Sequence, residues 1–224
     1  MRVGAVTVGQ SPRSDITPEI APLLPGVEIL EGGALDGLGP EELEALRRQP
    51  RGEVLATRLR SGQEIVVGKD DVLPGVADQI ARLERSGAEA ILLLCTGSFP
   101  VMASTVPVLY PEAVLAQVVR AVFAGGRLGV LTPHPAQCAF QVKRWGEVVP
   151  GAVKAVAASP YPADAAAGLA EAAEELSAWG ADLVAMDCLG YTTGMRDALR
   201  RRLERPVLLA RTALARVTAE LLGL

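Results

Sequence analysis

Two stretches of the sequence align without a gap: GVADQIARLERSGAEAILLLCTG at residues 75–97 and GLAEAAEELSAWGADLVAMDCLG at residues 168–190. The identical pairs are Gly75/Gly168, Ala77/Ala170, Leu83/Leu176, Gly87/Gly180, Ala88/Ala181, Cys95/Cys188 and Gly97/Gly190. Each copy predicts a helix, a glycine that ends it, a buried strand, and then a cysteine and a glycine at the carboxyl end of that strand. Short matches arise by chance in an alanine-rich chain, but the shared register of cysteine and glycine favours a true internal repeat.

A second, shorter match extends the repeat, because RVGAVT at residues 2–7 is similar to RLGVLT at residues 127–132. From the glycine of this motif to the repeated cysteine is 91 residues in the first copy and 59 in the second. The 32 additional residues include residues 53–69, where β-prone segments flank Ser61-Gly62 and predict an antiparallel hairpin. We expect this hairpin to be an insertion that covers a cleft or forms a dimer contact.

The order of the predicted elements indicates the fold class. Short apolar runs alternate with Ala- and Leu-rich helical stretches of about ten or more residues, which is typical of βαβ units and parallel sheets. We predict an α/β protein of two pseudo-symmetric lobes with parallel sheets, plus a β-hairpin insertion in the first lobe. The first lobe is expected to span residues 1–105, completed by a C-terminal helix over residues 211–224, and the second lobe residues 106–210.

Composition excludes several classes of function. The 224 residues carry 22 basic and 26 acidic side chains, a formal net charge of −4, and 4% of the residues are aromatic, so nucleic acid is not an expected partner. A single histidine and three scattered cysteines predict neither a metal site nor a disulfide framework. The uncharged stretch over residues 90–111 contains prolines, serines and threonines, which favours a strand and a polar loop over a membrane span. The N-terminal residues lack a signal-peptide pattern, so we expect a cytoplasmic protein with reduced thiols.

The paired cysteines, Cys95 and Cys188, carry the chemical hypothesis. Functional groups collect at the carboxyl ends of parallel strands, where both cysteines are predicted to lie. Related lobes could place the two thiols on opposite faces of one carbon, an arrangement suited to racemisation without a cofactor. The loop after each cysteine is expected to open a helix that lowers the pKa of the thiol. The alternative for any single cysteine is a small buried hydrophobe, and we expect that of Cys138, which has no repeat partner.

Several short motifs resemble those of the AroM family: TVGQSPR at residues 7–13, GALDGL at residues 33–38, the CTG that begins at Cys95, and MDCLGYT around Cys188. That family is similar to the aspartate/glutamate and hydantoin racemase superfamily. The resemblance implies two flavodoxin-like lobes with the active site between them, a small carboxylate as substrate, and neither a metal nor an organic cofactor. Thr96-Gly97 and Leu189 stand where amino-acid racemases of this type usually have Asn-Thr and Thr or Ala. Hydantoin-like and amino-acid substrates therefore both remain open.

Loops beside the two cysteines supply further candidate substrate-binding residues: Gln10, Ser11, Arg13, Thr96, Gly97, Ser98, Thr132, His134, Gly190, Tyr191 and Thr192. Ser11 could hydrogen-bond a carboxylate and Arg13 could pair with it through two N–H groups. The alternative is an ordinary strand-to-helix turn, with Ser11 as the N-cap and Arg13 in solvent. His134 could bind a carboxylate or assist Cys188, or it could be a surface residue at a helix start.

These observations lead to one main functional hypothesis and two alternatives. The main hypothesis is a cofactor-independent racemase or epimerase of a small carboxylate that uses both cysteines, and a homo-oligomer is expected. The first alternative is a cis-trans isomerase or decarboxylase of the same superfamily that uses one cysteine. The second is a non-catalytic small-molecule binding protein built on the racemase fold.

Overall fold

The structure, a computed structural model, describes residues 1–224 as ten β-strands and eight α-helices with two short 3₁₀ turns. The strands are β1 (Arg2–Thr7), β2 (Glu28–Gly33), β3 (Val54–Arg58), β4 (Glu64–Gly68), β5 (Ala90–Leu93), β6 (Val108–Leu109), β7 (Arg127–Thr132), β8 (Ala152–Ala157), β9 (Leu183–Met186) and β10 (Val207–Leu209). The helices are α1 (Thr17–Ile20), α2 (Pro40–Arg48), α3 (Lys69–Arg85), α4 (Pro111–Val122), α5 (Cys138–Val148), α6 (Ala165–Trp179), α7 (Thr193–Leu203) and α8 (Ala210–Leu222). None of these helices combines the length and the apolarity needed to cross a lipid bilayer.

The chain divides into two compact units. The first lobe comprises Met1–Pro111 and Ala215–Leu224, and the second lobe comprises Glu112–Leu214. Each contains one four-stranded parallel sheet, in the order β2-β1-β5-β6 in the first lobe and β8-β7-β9-β10 in the second. The predicted fold class, α/β with a parallel sheet in each lobe, is confirmed.

The repeat in the sequence corresponds to equal register in the two sheets. Gly4 of β1 pairs with Ile91 of β5, and Gly129 of β7 pairs with Val184 of β9. Both glycines are required by close packing: a Cβ on Gly4 would lie 2.5 Å from Cδ1 of Ile91, and a Cβ on Gly129 would lie 2.9 Å from Cδ2 of Leu176. The central strand of each sheet therefore packs so closely on neighbouring side chains that a Cβ at either glycine would require those side chains to shift.

The helix that precedes each repeated strand ends in the same way in both lobes. Gly87 and Gly180 adopt positive φ angles of 85° and 79°. The N–H of the alanine that follows each glycine donates to a carbonyl near the end of the helix, at 3.1 Å to Leu83 and 3.0 Å to Leu176. This pairing satisfies helix carbonyls that would otherwise lack partners and turns the chain directly into the next strand.

The predicted hairpin is confirmed as β3 and β4 of the first lobe. The two strands pair antiparallel from Val54 opposite Gly68 to Arg58 opposite Glu64, and Gly62 in the turn has a φ of 91°. The buried side chains of the hairpin, among them Leu55, join the hydrophobic core of the first lobe. The insertion is therefore part of that lobe's packing. A role in covering a cleft or in dimer contact stays a prediction.

The expectation that each cysteine loop opens a helix is wrong for the first lobe. Helix α7 follows Cys188, but residues 94–107 form no helix and lead into β6. Two prolines in this segment disfavour helical backbone in the residues before them. The carboxylate of Glu84 also accepts hydrogen bonds from the Ser104 hydroxyl and from the N–H of Thr105 at 2.6 Å, which holds the segment along α3.

Substitution of the two packed glycines tests the structural repeat. We expect Gly4→Ala and Gly129→Ala each to lower the free energy of unfolding by about 1–3 kcal/mol, because the added methyl group overpacks the strand–helix contact. The matched control is Gly168→Ala in α6, where a Cβ meets no atom within 4 Å. This change should raise stability by about 0.5–1 kcal/mol, since alanine favours the helix. Chemical denaturation measures all three, and unchanged stability at Gly4 and Gly129 would contradict the packing argument.

Candidate active site

The two repeated cysteines lie in loops of equal geometry. Each stands two residues beyond the end of its strand, β5 for Cys95 and β9 for Cys188. The N–H of Gly97 donates to the Sγ of Cys95 at 3.4 Å, and the N–H of Gly190 donates to the Sγ of Cys188 at 3.3 Å. A hydrogen bond from a backbone N–H favours the thiolate over the thiol. Both loops therefore supply one donor suited to a negatively charged sulfur.

The sheet fixes the position of both loops. The residue before each cysteine still donates its N–H to the central strand, Leu94 to the carbonyl of Val6 at 2.7 Å and Asp187 to the carbonyl of Leu131 at 2.9 Å. Sites held by rigid strands are more precisely placed than sites on free loops. The carboxyl ends of β5 and β9 are thus the fixed points from which both sulfurs project.

Apolar side chains and a lysine surround the loop of Cys95. A Cβ on Gly97 would lie 2.7 Å from Cδ2 of Leu55 in the hairpin and 3.2 Å from Cε2 of Phe99. Lys69, the first residue of α3, donates its Nζ to the carbonyl of Ser98 at 3.0 Å. The hairpin and α3 therefore hold Gly97 and Ser98, two predicted site residues, in place beside Cys95.

The loop of Cys188 is more deeply buried and more polar. Cys188 is 7% exposed, and the hydroxyl of Tyr161 lies 3.7 Å from its Sγ. Gly190 leaves room for this tyrosine, because a Cβ there would lie 2.7 Å from the Tyr161 oxygen. The buried Arg211, near the start of α8, donates from Nε and Nη2 to the carbonyl of Leu189 at 2.9 and 2.7 Å. These hydrogen bonds connect the loop to α8.

Tyr191 serves as a structural anchor in this loop. Its ring is fully buried, and its hydroxyl donates to the carbonyl of Ala158 at 2.7 Å. Burial raises the pKa of Tyr191 well above its ordinary value, and the nearby Cys188 and Tyr161 raise it further. The phenol therefore stays protonated at neutral pH and is not suited to act as a base.

The other predicted polar residues of the second lobe have local partners. Thr192 is the N-cap of α7 and accepts the N–H of Met195 at 3.1 Å. Thr132 donates its hydroxyl to Oε1 of Gln137 at 2.8 Å. Nδ1 of His134 accepts the N–H of Ala136 at 3.2 Å, so a neutral ring at this position carries its proton on Nε2. These contacts do not exclude ligand binding, because each side chain retains further hydrogen-bonding capacity.

The loop after β1 is held by carboxylates of its own lobe. Arg13 is 2% exposed, and its Nε and Nη2 each lie 2.8 Å from an oxygen of Asp15. The backbone N–H and the hydroxyl of Ser11 both donate to Asp36, at 2.7 and 2.6 Å. The alternative of Ser11 as an N-cap with Arg13 in solvent is wrong, since the first helix begins at Thr17 and Arg13 is buried.

Gln10 links this loop to the hairpin. Its Nε2 donates to the carbonyl of Leu35 at 3.2 Å, and its Oε1 accepts the N–H of Arg60 at 3.1 Å. The edge of Arg13 that would bind a carboxylate through two N–H groups faces Asp15 instead. The residues of the first loop therefore define the shape of the loop as much as they offer contacts to a ligand.

Charged residues on the far side of the second sheet form a separate cluster. Asp187 accepts the indole N–H of Trp145 at 2.9 Å and binds Arg144, which also pairs with Glu112 at 3.0 Å. Asp187 thus contacts α5, whereas its neighbour Cys188 contacts Tyr161, as alternation of side chains predicts.

The third cysteine, Cys138, and the set of possible metal ligands complete the description of the site. Cys138 is the first residue of α5, and burial together with the charge of Glu175 raises the pKa of its thiol. It is therefore less suited to thiolate chemistry than an ordinary exposed cysteine. No group of three or more His, Cys, Asp or Glu side chains is arranged to hold a metal ion.

Three contacts of the site carry little signal in the sequence. Tyr161, Lys69 and Arg211 come from elements that are distant in sequence from the loops they hold. The sequence gives one indication that Tyr161 belongs to the site, because this residue follows β8 and so lies at the carboxyl edge of the sheet. The other two are charged residues at the beginning of helices, a position that many solvated residues share.

The pair of Arg13 and Asp15 gives a pH-dependent prediction. Burial raises the pKa of Asp15, but hydrogen bonds and the charge of Arg13 outweigh burial and hold the pKa below its ordinary value. The pair therefore stabilises the fold above the unfolded pKa of about 3.9 and is lost as the pH falls through the folded value. We expect Asp15→Asn to cost about 3 kcal/mol near neutral pH and clearly less at about pH 3, as measured by denaturation at both pH values.

The matched control for this prediction is Asp197→Asn, which removes an exposed partner of Arg196. An exposed pair contributes about 0–1 kcal/mol, so this variant should change little at either pH. An equal cost of Asp15→Asn at both pH values would show that the carboxylate charge is not what stabilises the loop.

Comparison with solved structures identifies the fold. The chain is similar to allantoin racemase from Klebsiella pneumoniae, with a TM-score of 0.65 and 17% identity over 100% of this chain and 89% of that one. It is similar to Picrophilus torridus aspartate racemase, with a TM-score of 0.63 and 13% identity over 99% and 94%. It is also similar to the maleate isomerase of Pseudomonas putida S16, with a TM-score of 0.59 and 14% identity over 100% and 93%. The chain therefore shares the fold of these two racemases and the isomerase.

Sequence comparison identifies the family. A search of curated proteins found no match. The family model described as AroM protein matches residues 3–222. Because this match includes both sheets, both cysteine loops and the hairpin, the chain belongs to the AroM family.

Proposed function

We propose that the protein is a cofactor-independent racemase or epimerase of a small carboxylate, either an amino acid or a hydantoin-like compound. The observation that carries the proposal is the matched pair of sulfurs. Cys95 and Cys188 end equivalent strands, and each accepts the N–H of the glycine two residues on. A buried hydrophobic cysteine has no need of such a donor, whereas a thiolate does. The fold supports the general class, since racemases and an isomerase share it.

The proposed reaction moves one proton at one carbon. The thiolate of one cysteine removes the hydrogen next to the carboxylate of an amino acid or next to the ring carbonyl of a hydantoin-like compound, and the electron pair of the C–H bond stays on the carbon. The thiol of the other cysteine then gives its proton to the opposite face, so that the configuration inverts and the charge moves from one sulfur to the other. Because a free thiol has a pKa of about 8.5, the donor N–H groups of Gly97 and Gly190 increase the fraction of active thiolate.

The substrate contacts in this proposal come from the loops beside the two sulfurs. Thr96, Ser98, Thr192 and His134 offer hydroxyl and imidazole groups for a carboxylate, while the loop after β1 adds Gln10 and Ser11. We assign Arg13 to the shape of that loop, since its two-pronged edge is directed at Asp15. The carbanion formed by proton removal would gain from backbone N–H donors near its carboxylate.

One observation favours the alternative that uses a single cysteine. Cys188 has a tyrosine hydroxyl near its sulfur, whereas Leu55, Phe99 and Lys69 lie near the loop of Cys95. Unequal surroundings suit a decarboxylase or a cis-trans isomerase, in which one thiol donates a proton or attacks as a nucleophile. A binding protein without catalysis would require neither thiol.

Deuterium exchange separates these functions. Both enantiomers of aspartate, glutamate and allantoin are incubated with the protein in heavy water and followed by chiral chromatography and mass spectrometry. If two thiols act, wild-type protein places deuterium mainly in the product enantiomer. Cys95→Ser and Cys188→Ser each lose about 10²–10⁴-fold of the racemisation rate, because a serine hydroxyl is a far weaker acid. Each variant should still exchange one enantiomer through its remaining thiol, and the two variants should prefer opposite enantiomers.

The control is Cys138→Ser, which removes the third thiol and should leave the rate unchanged. Full racemisation by either Cys95→Ser or Cys188→Ser would refute the mechanism with two thiols. Loss of activity in one of these variants alone would support the decarboxylase or isomerase. Binding of a substrate without exchange or turnover in wild-type protein would support the non-catalytic alternative.

A further inference from the structure

The surroundings of the two sulfurs differ at one position that the repeat makes directly comparable. Tyr161 lies in the segment after β8, and its hydroxyl is 3.7 Å from the Sγ of Cys188. Its ring also contacts the cysteine loop, since a Cβ on Gly190 would lie 2.8 Å from its Cζ. The glycine is therefore matched to the tyrosine, and together they bring a hydroxyl to the sulfur.

The first lobe has no side chain at the equivalent position. Thr7 of β1 pairs with Gly33, and Thr132 of β7 pairs with Ala157, which aligns the ends of β2 and β8. Counting four residues from each of these ends leads to Gly37 in the first lobe and to Tyr161 in the second. A Cβ on Gly37 would meet no atom within 4 Å. The tyrosine is thus a feature of the second lobe alone.

We infer that Tyr161 donates a hydrogen bond to the sulfur of Cys188 and thereby favours the thiolate form of that cysteine. A phenol is protonated at neutral pH, and a thiolate can only accept, so the direction of this hydrogen bond follows from the ionised state. Hydrogen bonds to a charged acceptor are the stronger class. The inference deepens the proposed function, because it names a residue that prepares Cys188 to act as a base, and that consequence rests on the proposed function.

Other groups around Cys188 also favour its thiolate, or carry a charge that nearby partners neutralise. Helix α7 has eleven residues and begins five residues after Cys188, whereas no helix follows Cys95 before α4. A helix N-terminus favours a nearby negative charge. Arg211 adds a positive charge at the carbonyls of the loop. The carboxylate of Asp187 opposes a thiolate, but it is bound to Arg144 and to the indole of Trp145.

One further effect opposes ionisation of Cys188, and one neighbouring hydroxyl does not assist it. The sulfur is buried, and burial disfavours a charge. The neighbouring Tyr191 directs its hydroxyl to the carbonyl of Ala158 and thus gives no hydrogen bond to the sulfur through that proton. The hydrogen bonds from the Gly190 N–H and the Tyr161 hydroxyl must together outweigh the free-energy cost of a buried charge on the Cys188 sulfur. The tyrosine is the decisive group in this balance.

Thiolate titration tests this inference without any substrate. The double variant Cys95→Ser/Cys138→Ser leaves Cys188 as the single thiol, and Cys138→Ser/Cys188→Ser leaves Cys95. The ultraviolet absorbance of the thiolate is followed against pH in both proteins, and Cys95 serves as the reference thiol, because it lies in the other lobe. Adding Tyr161→Phe, which keeps the ring and removes the hydroxyl, should raise the midpoint of Cys188 by about one pH unit and leave that of Cys95 unchanged.

The matched control is Tyr110→Phe, which removes a tyrosine hydroxyl that accepts the N–H of Met102 in the first lobe. It should leave the midpoint of Cys188 unchanged. A midpoint of Cys188 that Tyr161→Phe does not raise, or an equal rise in the midpoint of Cys95, would overturn the inference. If Tyr161→Phe folds poorly, Gly190→Ala tests the same contact, because its Cβ would lie 2.7 Å from the Tyr161 oxygen and should displace the hydroxyl and raise the midpoint of Cys188. Failure of the deuterium-exchange experiment alone would instead remove the reaction and leave the effect of Tyr161 on Cys188 in place.

Discussion

The close packing around one glycine of the central strand is the constraint on which each lobe depends. A Cβ on Gly4 would crowd Ile91 of β5 and Leu83 of α3, and a Cβ on Gly129 would crowd Val184 of β9 and Leu176 of α6. Each glycine also pairs with the equivalent residue of the repeated strand, Gly4 with Ile91 and Gly129 with Val184. Because both sheets have the same register, their strands end at equivalent positions, and each end presents a cysteine.

Beyond that shared framework, the two lobes hold their cysteine loops by different means. In the second lobe α7 follows the loop, and Arg211 at the start of α8 binds its carbonyls. In the first lobe no helix follows, and the loop instead packs on the hairpin and is bound by Lys69 of α3. The hairpin insertion and the irregular segment therefore belong together, since the insertion supplies packing where the other lobe has a helix.

Periodicity and repeats in the sequence were sufficient to predict the fold class, the hairpin and the equivalence of Cys95 with Cys188, because these depend on local pattern and on residues that recur in register. The irregular segment after Cys95 was not predicted, because its shape depends on Glu84, a residue distant from its center in sequence. Arg13 shows the same limit. Its residue type indicates carboxylate binding, but the sequence does not tell whether the carboxylate belongs to a substrate or to Asp15. Tyr161 was missed because its counterpart, Gly37, has no side chain, so a comparison of the two copies of the repeat showed no recurring residue at this position.

The difference between the lobes has a consequence for any reaction that interconverts mirror images. Two enantiomers are equal in free energy, so the ratio kcat/KM must be the same for both, whatever the protein does. Under the proposed function, a hydrogen bond from Tyr161 that favours the Cys188 thiolate raises the fraction of protein ready for the enantiomer that presents its hydrogen to Cys188. This shift in ionisation therefore changes KM and kcat together, in compensating directions, and leaves their ratio fixed. Under the proposed function, an asymmetric pair of thiols adapts the protein to the enantiomer that is more abundant without violating the symmetry of the equilibrium.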